Sequence, residues 1–149
     1  MLRLFGILLI GSTVLFFSAN SIGSLPVEEA VQKRIKMFKS SGTNIKKLNQ
    51  LIRSGVFSAS VDLVDFHVKW SEDMRLLFPA GSEASTSNGS DASSDIWGNT
   101  SGFEKEIRQY NLSSIELKEA VKSKNINQIN RTFKGLVKSC KSCHKQFRN

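Results

Sequence analysis

Beyond about residue 24 the chain falls into four stretches in which large apolar side chains recur at steps of three and four, the pattern of helices with one buried face. The first stripe reads Val27, Val31, Arg34, Phe38, Ser41, Ile45, Leu48, Ile52. Ser24 and Pro26 followed by Glu28 and Glu29 supply a cap, a pre-set first turn and negative charge at the positive end of the helix dipole. Gly55 stops this helix after Ser54. Arg34 is the exception on the seam, and a guanidinium there needs either an anion or a route for its stem to reach water.

The second stretch begins near Ser58 and sets Leu63, Phe66, Trp70, Met74 and Leu77 on one side before Phe78-Pro79 ends it. His67 borders this stripe, where a lone histidine is more often an edge residue than a metal ligand. From Ala80 to Asp95 the chain is rich in Ser, Gly, Asn and Asp with almost no large apolar residue, so this segment is expected to contribute nothing to a core. Ile96-Trp97 then docks the end of this loop, which spans about 79–99. Ser101-Gly102-Phe103-Glu104 reads as a capping box opening the third helix, whose inner face is Phe103, Ile107, Tyr110, Ser114, Leu117 and Val121. Asn125 caps the fourth, with Ile126, Ile129, Phe133, Leu136, Cys140, Cys143 and Phe147 on its stripe. No repeat or strand pattern competes with this all-α, four-helix reading.

Charge and the N-terminus bound the rest. Arg3, an apolar run from Leu4 to Phe17, and small residues at Ser18, Ala19, Ser21 and Gly23 have the shape of a cleaved secretory leader, ending at residue 21 or, as a second choice, 23. The apolar run is shorter than the roughly 20 residues of a membrane span, so no membrane association is expected after cleavage. One domain, residues 24–149, remains. The formal charge of +8 is scattered along helical stretches without a nucleic-acid motif, which argues against nucleic-acid binding. Four Asn-x-Ser/Thr triplets, beginning at Asn88, Asn99, Asn111 and Asn130, read as ordinary polar sequence.

The chemistry is concentrated at Cys140-Lys141-Ser142-Cys143-His144. Two cysteines three apart followed at once by histidine is the c-type haem attachment pattern. On a helix both sulfurs lie on one face for thioether bonds to the haem vinyl groups, and His144 lies four residues after Cys140 to offer an imidazole to iron. A zinc site and a dithiol redox pair are weaker rivals: the first lacks ligands, with only His67 to add, and the second lacks a strand-to-helix setting. A haem propionate would be the anion that Arg34 needs.

These residues together resemble the class II c-type cytochromes, specifically the cytochrome c′ family. The likeness rests on Arg34 four residues before Phe38, the Phe78-Pro79 end of helix two, Asp95-Ile96-Trp97 before helix three, and the C-terminal haem motif with Arg148 beyond it. It implies an antiparallel four-helix bundle holding one haem c, often a homodimer through the first two helices, in the periplasm. It also implies a residue facing the iron from helix one: methionine in low-spin electron-transfer members, an apolar side chain in five-coordinate members that admit small gases, notably nitric oxide. Phe38 takes that position here, with Met37 about 100° away around the helix as the alternative sixth ligand. Arg148 is expected one turn beyond His144, beside the proximal pocket. The expected function is binding of a small diatomic gas, with electron transfer to an unidentified redox partner as a secondary capacity. An enzyme is not expected, because Arg34 is the only polar candidate for acid–base work on the distal stripe.

Overall fold

The computed structural model describes residues 25–149. The expected leader, and Ser24 with it, lie outside the described residues. Five helices follow one another: α1 (Val27–Arg53), α2 (Val61–Asp73), a single turn α3 (Asp95–Gly98), α4 (Thr100–Ser123) and α5 (Ile126–Phe147). The four long ones make the antiparallel bundle, and short 3-10 turns at Ser58–Ser60 and Met74–Leu77 bracket α2. Among the described residues there is no strand beyond one isolated bridge between Ala92 and Arg148, and no helix is long and apolar enough to cross a membrane.

The helix ends follow local chemistry. Pro26 occupies the N-cap of α1, its carbonyl accepting from the Ala30 N–H at 2.9 Å, and Glu28 and Glu29 fill the first turn. Gly55 adopts φ +70° just past the helix, a region that penalises a Cβ. The expected capping box at Ser101 is displaced: Asn99 caps α4, its side chain accepting from the Gly102 N–H at 3.1 Å, and Ser101 lies inside the first turn. Gly102 permits this, since a Cβ there would come within 2.4 Å of the Asn99 amide nitrogen. Asn125 caps α5 as expected, accepting from Gln128 N–H at 3.1 Å.

Inside the bundle, α4 buries Phe103, Ile107, Tyr110, Ser114, Leu117 and Val121, all of its expected face. α5 turns Ile129, Leu136 and Phe147 inward, with Phe133, Cys140 and Cys143 half-buried and Ile126 exposed. Val27 is likewise exposed at the start of α1. The face of α2 is rotated from the expected one. Val64 and His67 are completely buried, while Leu63 and Phe66 flank the core half-buried. Both neighbouring stripes are apolar enough to go inside, and a hydrogen bond to Tyr110 makes the one containing His67 acceptable there.

The polar segment after Pro79 corrects the expectation that it cannot pack. Ser82, Ser90, Ala92 and Ser93 are buried, and the segment is fastened on two sides. On one side Arg34 reaches into it from α1. On the other the chain end holds it: Ser93 N–H donates to Phe147 C=O at 3.0 Å, Asn149 N–H to Asp91 C=O at 2.9 Å, and Arg148 pairs with Asp91 at 2.7 Å. Trp97 donates its ring N–H to the Pro79 carbonyl at 3.2 Å, closing the segment on itself. Satisfied hydroxyls and backbone groups, not apolar bulk, make this burial possible.

Candidate functional site

Helices α1 and α5 stand apart around a cavity of about 560 Å³, closed at its sides by α2, α4 and the strap from Gly89 to Ala92. That volume lies within the range of cofactor pockets. Its lining is largely apolar, with Phe38, Ile45, Trp70, Phe78 and Phe103 prominent.

Cys140, Cys143 and His144 line this cavity from α5. Both cysteines are free and half-buried. Burial pushes both thiols up, Cys143 to about 12 with help from the Glu106 charge, so at neutral pH both carry their protons. His144 is exposed at the cavity edge. Burial and the neighbouring Arg148 lower its pKa, which favours the neutral imidazole a metal requires. Among the described residues no three of His, Cys, Asp and Glu are grouped to hold a metal ion, so the zinc reading has no ligand set.

Phe38 faces this group from α1. Its ring lies 6.0 Å from the His144 ring and edge-on to Trp70 at 5.2 Å and Phe78 at 6.4 Å. Met37 is half-buried against the core and is not among the residues lining the cavity. The one-residue difference in register, about 100° of helix rotation, thus separates a cavity residue from a packing residue.

Arg34 also lines the cavity, and it is 2% exposed, which removes the route to water. Its Nη1 donates to Leu77 C=O at 3.1 Å and Ser82 Oγ at 2.7 Å; its Nη2 donates to Ser82 C=O and to Ser90 Oγ at 2.7 Å. The guanidinium lies over the Phe78 ring at 4.6 Å. Burial lowers its pKa, with Glu83 partly restoring it. Arg148 lines the cavity as well, but not from a further helical turn: α5 ends at Phe147, and Arg148 is extended at the C-cap, exposed and paired with Asp91.

Sequence reasoning missed one polar group. Ser41 and Tyr110 both line the cavity, and behind them His67 is 0% exposed. Tyr110 Oη is 2.6 Å from His67 Nδ1, and Ser41 Oγ is 3.5 Å from the same nitrogen. Burial lowers His67 to about 4 and pushes the Tyr110 phenol well above its ordinary range. In the sequence Ser41 and Tyr110 stand on inner stripes and His67 at the edge of its own, and nothing there pairs them.

Two thiols that can add across vinyl groups, an imidazole beside them and an apolar cavity of cofactor size fit a c-type haem. Fold and site together define an all-helical c-type haem protein. The chain belongs to the cytochrome c′ family, whose family model matches residues 29–148. It therefore carries one haem c, attached through Cys140 and Cys143. Solved structures agree on the fold. The cytochrome c′ of Thermochromatium tepidum superposes with a TM-score of 0.77 at 17% identity, covering 85% of this chain and 98% of that one. A cytochrome c′ with an unusual ligand-controlled dimer dissociation gives 0.78 at 17% identity, with 85% and 98% covered. The nitric oxide complex of a leucine-to-alanine variant of cytochrome c′ from Alcaligenes xylosoxidans gives 0.73 at 18% identity, with 84% and 97% covered. No curated protein matches the sequence.

Proposed function

We propose that this protein binds small diatomic gases, nitric oxide foremost, at a haem iron held by His144 and left five-coordinate beneath Phe38. The observation that carries the reading is Phe38, which lines the cavity opposite His144 while Met37 does not. The haem supplies an open iron site. The chain supplies the rest: His144 holds one face, and the Phe38 ring, which has no lone pair to donate, covers the other and excludes larger ligands. The Trp70 and Phe78 rings beside it limit how far it can turn. A nitric oxide complex of the Alcaligenes xylosoxidans relative supports the choice of ligand.

Arg34 and Arg148 bring positive charge to the cavity wall and suit the haem carboxylates. The four terminal N–H groups of Arg34 serve Leu77, Ser82 and Ser90, so a propionate would meet its Nε–H or its charge alone. The protein is read as an exported periplasmic homodimer without enzymatic turnover, exchanging electrons with a redox partner as a secondary role. The relative with ligand-controlled dimer dissociation supports the dimer.

The test is the optical and resonance Raman spectrum of the reduced protein and two variants. Met37→Leu should keep a five-coordinate spectrum, and Phe38→Ala should speed ligand entry. A six-coordinate low-spin spectrum that disappears only in Met37→Leu would overturn the reading and make electron transfer the function.

A further inference from the structure

Gas binding makes no use of the buried pair Tyr110 and His67. Tyr110 is the only tyrosine in the chain. It lines the same cavity as Cys140, Cys143 and His144. Its oxygen is 2.6 Å from His67 Nδ1, and the two residues are 5% and 0% exposed. Phenol is the stronger acid and imidazole the better acceptor, so Tyr110 donates and Nδ1 presents a lone pair. The resting pair is neutral: burial holds the phenol protonated and keeps His67 uncharged at neutral pH. Moving the proton alone is therefore far uphill. Removing an electron from the phenol reverses this, because an oxidised phenol is a strong acid, and His67 is then the base already in contact.

We propose that Tyr110 is a one-electron donor to the haem, with His67 accepting its proton. The oxidant class is a hydroperoxide, and the inference rests on the open iron site proposed above. A bound haem would supply the two electrons that cleave the O–O bond of hydrogen peroxide, with water leaving, and would be left two electrons short. Tyr110 then returns one electron. Its O–H bond breaks and an N–H bond forms at Nδ1, leaving a neutral phenoxyl beside an imidazolium. His67 Nε2 is buried and has no partner among the described residues, so the imidazolium is poorly stabilised. The pair thus drains an oxidising equivalent away from the haem edge into a site shielded from solvent.

Freeze-quench electron paramagnetic resonance of the ferric holoprotein mixed with hydrogen peroxide is the test, with haem absorbance followed in parallel. A tyrosine radical is expected in the wild type and absent in Tyr110→Phe, which keeps the ring and removes only the hydroxyl. His67→Gln keeps a hydrogen-bond acceptor without a base, so the radical should form about 100-fold more slowly. The wild-type rate in D2O reads the same proton step without any substitution and should fall below that in water. If the haem spectrum does not respond to peroxide, both the open site and this inference fall. If the haem responds, three results overturn this inference alone: no tyrosine radical, a radical that survives Tyr110→Phe, or equal rates in the two solvents.

Discussion

Replacing Arg34 with methionine keeps most of the side-chain volume and removes every donor. Four hydrogen bonds, to Leu77, Ser82 and Ser90, disappear. The two hydroxyls retain other partners, Ser82 Oγ donating to Pro79 C=O at 2.7 Å and Ser90 Oγ accepting from Ala92 N–H at 3.1 Å. The carbonyls of Leu77 and Ser82 lose the guanidinium, at about 1–3 kcal/mol each when left bare. Removing a buried cation returns part of this, because its desolvation no longer opposes folding. The expected net loss is about 3 kcal/mol, a large share of the roughly 5–15 kcal/mol that holds a domain together. Guanidinium chloride unfolding of the holoprotein measures it, and hydrogen exchange at Ser82 and Ser90 localises it. Arg34→Lys keeps the charge but cannot span four acceptors, so it should weaken the strap while disturbing the haem potential less than Arg34→Met does. A loss under about 1 kcal/mol in Arg34→Met, with the strap amides equally protected, would refute the clasp.

Three further outcomes follow from the structure. His67 titrates at about 4 when folded, against 6.5 for the free side chain. Its contribution to stability is complete above pH 6.5 and declines as the pH falls towards 4, because the unfolded chain takes up the proton first, a loss of about 3 kcal/mol. Unfolding free energies measured across that window should slope for the wild type and flatten in His67→Gln. Lys124, at φ +56° after α4, is the only non-glycine residue with positive φ among those described, so Lys124→Gly should raise stability by about 0.5–1 kcal/mol in thermal unfolding. Replacing either Cys140 or Cys143 with alanine should leave one thioether bond, and replacing both should yield protein of apo mass by mass spectrometry. Haem still retained through acid acetone extraction in the double variant would contradict attachment at these sulfurs.

The helices were legible in the sequence because helical period, caps and stop signals are local. The inner face of α4, the Asn125 cap and the Gly55 stop all lie within a few residues of their causes. The haem motif was legible for the same reason, since its chemistry requires cysteines and histidine at fixed spacing on one helix. Periodicity fixes a face only to within a neighbouring stripe, however, and the rotation of α2 was settled elsewhere. His67 goes inside because Tyr110, 43 residues on, donates a hydrogen bond to it there. Arg34 stays inside because Leu77, also 43 residues away, and the two serines beyond it surround the guanidinium. The strap packs because it is tied to Arg34 and to the chain end, not because its own composition favours burial. A buried polar group is tolerated only with a partner, and partners separated by a helix or more are brought together by the tertiary fold alone.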